Sequence, residues 1–200
     1  MNKALLFKEW IKTRWILLLM FAVFILAMGY IALRISSAAR NVGMPHLWEV
    51  FILKNVVLLD QIKVLPLLAG IIMGITQFIP EMTKKRFKLT LHLPLGENRI
   101  VCLMLGYGMV CLLLLFAVSY GGFLWGLSGS FPREVVGAWF VTILPHVLGG
   151  FASYLLAAWI ILEPVWSQRL YNAVIGLLVL SVFMIQGVPG SGAGNTTTPT

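Results

Sequence analysis

Ser128 and His146 are the two residues of this chain that could act together as a nucleophile and its base. Ser128 stands in Gly126-Leu127-Ser128-Gly129, and His146 is the only histidine in a later apolar run. A serine hydroxyl is a weak nucleophile until a base within hydrogen-bond reach takes its proton. Against that chemistry, Ser128 is closely followed by Phe131-Pro132-Arg133-Glu134, a polar turn, and Gly and Ser are ordinary turn residues. A second possible chemistry is ion coupling. Asp60, Lys63, His146 and Glu163 are ionisable and lie in or beside apolar runs, where such residues are costly and mark function by default. Asp60 and Lys63 are i,i+3 neighbours and could pair on one helix face. His46, His92 and His146 show no metal-ligand spacing. The favoured role for His146, beside Pro145, is a neutral side chain hydrogen-bonded to a neighbouring helix. No G-x-x-x-x-G-K-[ST] run is present to cradle ATP phosphates.

A third group is a basic run. Residues 77–100 read QFIPEMTKKRFKLTLHLPLGENRI, with Lys84, Lys85, Arg86 and Lys88 close together between two apolar stretches. Apolar residues, Phe87 and Leu91 among them, are interleaved with these charges, which a pure topology signal does not require. Phe87-Lys-Leu-Thr-Leu-His-Leu93 alternates with period two, a strand pattern. An isolated strand would leave its backbone groups unsatisfied, so residues 80–92 are read as a short helix ended by Pro94.

The elements that must position these residues follow from hydropathy. The chain has 200 residues, 60% of them hydrophobic and only 11% charged, with a mean hydropathy of +0.93. Soluble domains carry about 25% charged residues. Charge-free runs cover 15–33, 64–80, 100–132, 135–162 and 170–200, and about 20 apolar residues cross a bilayer. The fold class is therefore all-α: a polytopic transmembrane helical bundle of about five spans plus an N-terminal interfacial helix. Residues 1–14 form that amphipathic helix, with Phe7, Trp10 and Ile11 on one face and Lys8, Glu9 and Lys12 on another. The membrane domain runs over 15–188, with spans near 15–34, 100–124, 136–161 and 170–188 and a second span whose charge-free core is 64–80. Those 17 residues cover only about 26 Å as a helix, so this span is expected to begin before Lys63. Residues 189–200 form a disordered Gly/Thr-rich tail. Pro66 and Pro145 are read as kinks, and Gly70-Ile71-Ile72-Met73-Gly74 as a close-packing face. Cys102 and Cys111 are read as buried, inert thiols, and tryptophans such as Trp15, Trp125 and Trp166 as an interfacial belt. The first helix is expected to be an uncleaved span.

The net charge of +8 does not point to nucleic acid, because the basic residues flank spans. Alternating spans put ten basic residues on the side of the N-terminus and five on the other. The positive-inside rule then places the N-terminus and the 84–88 run in the cytoplasm and the tail outside. Membrane lipid is the default partner of the basic residues.

The order span, Pro80-Glu81, basic run, Leu91-His92-Leu93-Pro94-Leu95, polar turn, Arg99, span resembles the membrane permease subunits of ABC transporters of the type-2 exporter class. The amphipathic helix before the first span is similar as well. The resemblance covers most of the chain as architecture and about twenty residues as motif. It implies that 80–98 is a coupling segment docking on a separate cytoplasmic ATPase, with Glu81, Lys84, Lys85, Arg86, Phe87, Lys88 and Leu91 at that contact. It also implies a second permease copy, identical or not, a bacterial cytoplasmic membrane, ATP-Mg held by the partner ATPase, and no catalytic residue or cofactor on this chain. Family members usually carry six spans and end in the cytoplasm; five are predicted here. The alternatives are an intramembrane serine protease, since the Ser128 motif has the form found in rhomboid-type enzymes, and a non-catalytic scaffold or ion-coupled carrier using Asp60, Lys63 or Glu163. In rhomboid-type enzymes the serine opens a helix inside the membrane, whereas Ser128 is predicted in an outer loop.

Overall fold

The computed structural model describes residues 2–42, 63–83, 97–129 and 133–184. Every element among them is a helix: α1 (Asn2–Val42), α2 (Val64–Thr83), α3 (Glu97–Ser128), α4 (Arg133–Leu162) and α5 (Trp166–Met184). Four contain stretches long and apolar enough to cross a membrane, Leu5–Arg34, Val64–Met82, Arg99–Ser128 and Trp139–Leu162. The chain is an all-helical bundle of the integral-membrane type. The predicted fifth span falls on α5, and its expected end at residue 188 lies outside the described residues, as does the tail.

Each helix presents one stripe to its neighbours. On α1, Leu5, Glu9, Thr13, Leu17, Met20, Phe24, Met28 and Ile31 recur every three or four residues, and all are buried, as 3.6 residues per turn requires. The residues between them, Leu18, Leu19, Leu26 and Leu33 among them, point outward and are exposed. Apolar surface of this extent is stable against lipid tails, which are as apolar as leucine. The helix shows no break at residue 14: the amphipathic start and the first span are one continuous helix.

The contacts set the directions. Thr13 meets Tyr107 and Phe24 meets Tyr120, so α1 and α3 run parallel. Gly70 abuts Gly150 and Gly74 abuts Ala157, so α2 and α4 run parallel. Phe116 meets Phe151 and Phe123 meets Trp139, so α3 and α4 are antiparallel. Consecutive helices thus alternate. Lys8, Lys12, Glu81, Arg99, Glu163 and Arg169 share one end of the bundle, and Arg34, Lys63, Ser128 and Arg133 share the other. Helix α5 packs on α4.

The Gly70/Gly74 face packs α2 against α4. A Cβ on Gly74 would stand 2.8 Å from that of Ala157, and one on Gly150 would stand 2.8 Å from the Pro66 carbonyl oxygen. Ser153 Oγ adds a bond across the seam to the Leu67 carbonyl at 2.9 Å. Pro66 is not a kink. It lies in the first turn of α2, where a missing N–H breaks no helical bond. The prolines inside helices are Pro80 and Pro145. Cys111 is buried, but Cys102 is exposed, because the nine-residue spacing turns the two to different faces.

Candidate functional site

Four of the buried polar side chains collect at one end, whereas Ser119, His146 and Ser153 lie further along the bundle. On α1, Glu9 and Thr13 occupy positions that the stripe elsewhere gives to Leu, Met and Phe. On α2, Gln77 and Glu81 continue the face of Gly70, Met73 and Gly74. All four are buried, Glu9 to 2% exposure and Glu81 to 1%. Charge at such depth requires a partner, and the antiparallel packing of α1 on α2 supplies two. Lys12 Nζ lies 3.0 Å from Glu9 Oε1 and 3.1 Å from Glu81 Oε1. Lys8 Nζ lies 3.0 Å from Glu81 Oε1. Lys12 is the bridge: one ammonium shared by two carboxylates from different helices.

Hydrogen bonds extend the cluster to the other helices. Thr13 Oγ1 donates to the Glu9 carbonyl at 2.9 Å and so accepts from the Tyr107 hydroxyl at 2.7 Å, joining α1 to α3. Gln77 Nε2 donates to the Met104 carbonyl at 2.7 Å, joining α2 to α3. Tyr154 Oη donates to Gln77 Oε1 at 2.9 Å, joining α4 to α2. A Cβ at position 108 would collide with the Tyr154 ring and hydroxyl, so Gly108 makes room for this bond. Four helices are stitched together by polar side chains here. Toward the other end the described contacts are aromatic, Phe24–Tyr120 at 6.0 Å and Phe123–Trp139 at 5.6 Å. An apolar cavity of about 340 Å³ lies in that region between α3 and α4, lined by Phe116, Tyr120, Phe140 and Phe151 among others.

Tyr154→Phe measures one stitch. The ring and its contact with Phe78 remain, but Gln77 Oε1 loses its buried donor. The expected cost is about 1–2 kcal/mol, read as a lowered midpoint of thermal unfolding in detergent.

Of the residues predicted at a partner contact, Glu81 does not face outward. It is buried and ion-paired to α1, because Lys8 and Lys12 approach from across the bundle. Lys84, Lys85, Arg86, Phe87, Lys88 and Leu91 lie outside the described residues, as do Asp60, the 84–96 part of the coupling segment and the expected end of its helix at Pro94. Lys63 occupies the turn before α2 and is half-buried. Glu163 is at the opposite end, in the α4–α5 connection, where Arg169 Nη2 donates to the carbonyls of Ile161 at 3.1 Å and Glu163 at 2.8 Å. That is a helix C-cap by a cation. His146 is buried, with Nδ1 2.9 Å from the Thr142 carbonyl one turn back on its own helix. Ser128 is exposed at the end of α3, and its hydroxyl donates to the Trp125 carbonyl at 2.7 Å. His146 lies about 20 Å along α4 from Arg133 at 1.5 Å per residue, so the geometry does not bring this base to this serine.

The Lys8–Glu9–Lys12–Thr13 group was missed as a site by sequence reasoning. The signal was present: a polar residue at two successive positions of an otherwise apolar 3.6-residue stripe. Comparison with protein-family models, with curated proteins and with solved structures finds no match.

Proposed function

We propose that the chain is the membrane-spanning permease subunit of an ABC-type exporter, driven by a separate cytoplasmic ATPase that docks on its basic 80–98 segment. The observation that carries the reading is the stitched end of the bundle. Glu81, at its centre, stands three residues before Lys84 in the chain. A push on the segment after α2 therefore reaches α1 through Lys8 and Lys12, α3 through Gln77 and α4 through Tyr154. Toward the other end aromatic contacts join α1, α3 and α4, and in this reading that is the end that parts. Polar networks of this kind hold a geometry, whereas apolar packing between membrane helices is more easily rearranged.

In this reading the stitched end is cytoplasmic, ATP-Mg belongs to the partner ATPase, and a second copy or a second permease completes the assembly. The positive-inside rule supports the orientation. The outward apolar face of α5, with Leu170, Val174, Leu177 and Leu178 exposed, suits lipid or that second subunit.

The test is purification in mild detergent from native membranes, comparing the wild type with the triple variant Lys85→Glu, Arg86→Glu, Lys88→Glu. A Walker-motif ATPase should copurify with the wild type and be lost from the variant at equal membrane levels. No ATPase on the wild type, under conditions that keep a known ATPase–permease pair intact, would sink the reading and return the basic run to a topology signal.

A further inference from the structure

Two atoms of the charged cluster have no donor among the described residues. Glu9 Oε2 and Glu81 Oε2 are both buried and neither meets a hydrogen-bond partner there. All three ion contacts converge on the other oxygen of each carboxylate, Oε1. Buried polar atoms of native proteins are satisfied almost without exception, so each bare one needs an explanation.

The surrounding described groups do not supply it. On α1, Lys8 and Lys12 are committed to Oε1, Thr13 donates to a carbonyl, Arg14 lies over Trp15 and Lys3 is exposed. On α3, the Tyr107 hydroxyl is engaged by Thr13, Cys111 is buried one turn further on and Arg99 is exposed. On α4, Tyr154 gives its proton to Gln77. The charge count points the same way. The side chains of Glu9 and Glu81 are each 2% exposed and that of Lys12 is 17% exposed, whereas Lys8 is 38% exposed and reaches water. The buried trio therefore carries one excess negative charge, which Lys8, bonded to Glu81 at 3.0 Å, balances only from the half-exposed rim. A buried excess charge is neutralised rather than retained, and two carboxylates sharing a site do not both ionise readily.

From this we infer that the Glu9–Glu81 pair is a proton-binding site. It holds one proton, on an Oε2 atom, exchanged with the aqueous phase at the Lys8 side of the bundle. The bound proton makes the trio neutral and turns one bare acceptor into a donor. The inference stands on the cluster alone and does not depend on an ATPase partner.

Infrared difference spectroscopy on the full chain in lipid nanodiscs tests it. At neutral pH the wild type should show the carbonyl stretch of a protonated carboxylic acid, moved by deuterium exchange and by carbon-13 labelling of glutamate. The band should vanish on alkaline titration. Glu9→Gln and Glu81→Gln should each abolish it at unchanged helix content, because either carboxylate left alone has Lys12 to itself. Absence of the band in the wild type, or its persistence in both variants, overturns the site. Should one of the two variants fail to fold, the other decides the question, since loss of either carboxylate removes the band.

Discussion

Gly70→Val separates α2 from α4. A Cβ at position 70 would collide with the Gly150 carbonyl oxygen and the Ser153 hydroxyl, and would stand 2.9 Å from the Tyr154 backbone nitrogen. Two of these three obstacles are backbone atoms, which cannot swing aside as the end of a side chain can. The third, Ser153 Oγ, carries the bond to the Leu67 carbonyl, so displacing it breaks the link between the two helices. Overpacking usually costs about 1–3 kcal/mol; here the loss should lie at or above the top of that range, since a hydrogen bond goes with it. Gly106→Ala is the control. Nothing lies within 4 Å of a Cβ there, and alanine favours the helix by about 1 kcal/mol over glycine. Denaturant titration in mixed micelles should show the first variant strongly destabilised and the second unchanged or improved. Equal stability of Gly70→Val and wild type would mean that α2 and α4 do not meet at this seam.

The small-residue face of that seam was legible before the structure, though glycines four apart are a weak signal because glycine is common in membrane helices, and the partner helix was not legible. The helical class was legible: charge-free runs of span length leave no soluble alternative. The direction of each helix followed from simple alternation. The fate of Glu81 was not legible. Its neighbours Lys84, Lys85 and Arg86 suggest a solvated surface, and its burial depends on Lys8 and Lys12 from far back in the chain. Local periodicity carries no information about such a pairing. In residues 1–14 the face that packs inward was not legible either. Phe7, Trp10 and Ile11 do share an apolar face, and they are exposed. The face that meets the bundle is the one bearing Glu9 and Thr13. In a membrane protein the more apolar side of a helix can belong to the lipid, so amphipathicity alone does not say which side is the interior. Pro66 shows a third limit: a proline kinks or merely opens a helix according to where the helix begins, and that boundary is the least certain feature of a continuous apolar run.

Lys12→Met should be the most damaging single change outside the glycine seam. The substitution keeps the length and apolar bulk of the side chain and removes only the ammonium. Glu9 then has no cation, and Glu81 keeps only the half-exposed Lys8. Breaking a buried ion pair by removing one partner costs about 3–5 kcal/mol, mostly from the charge left behind. Lys8→Met removes a cation that water already screens and should cost no more than about 1 kcal/mol. The two lysines thus separate a buried bridge from a surface contact on the same carboxylate. The double variant Lys12→Met, Glu9→Gln supplies the decisive comparison. If the loss comes from a stranded charge, neutralising Glu9 recovers much of it, and the two changes are strongly non-additive, as expected of groups in contact. If the loss instead comes from packing of the lysine stem, the second substitution recovers nothing. Unfolding midpoints of the four proteins in the same detergent distinguish the cases. Additive effects would remove the charged bridge as the tie between α1 and α2, and with it the route by which a push after Glu81 reaches the first helix.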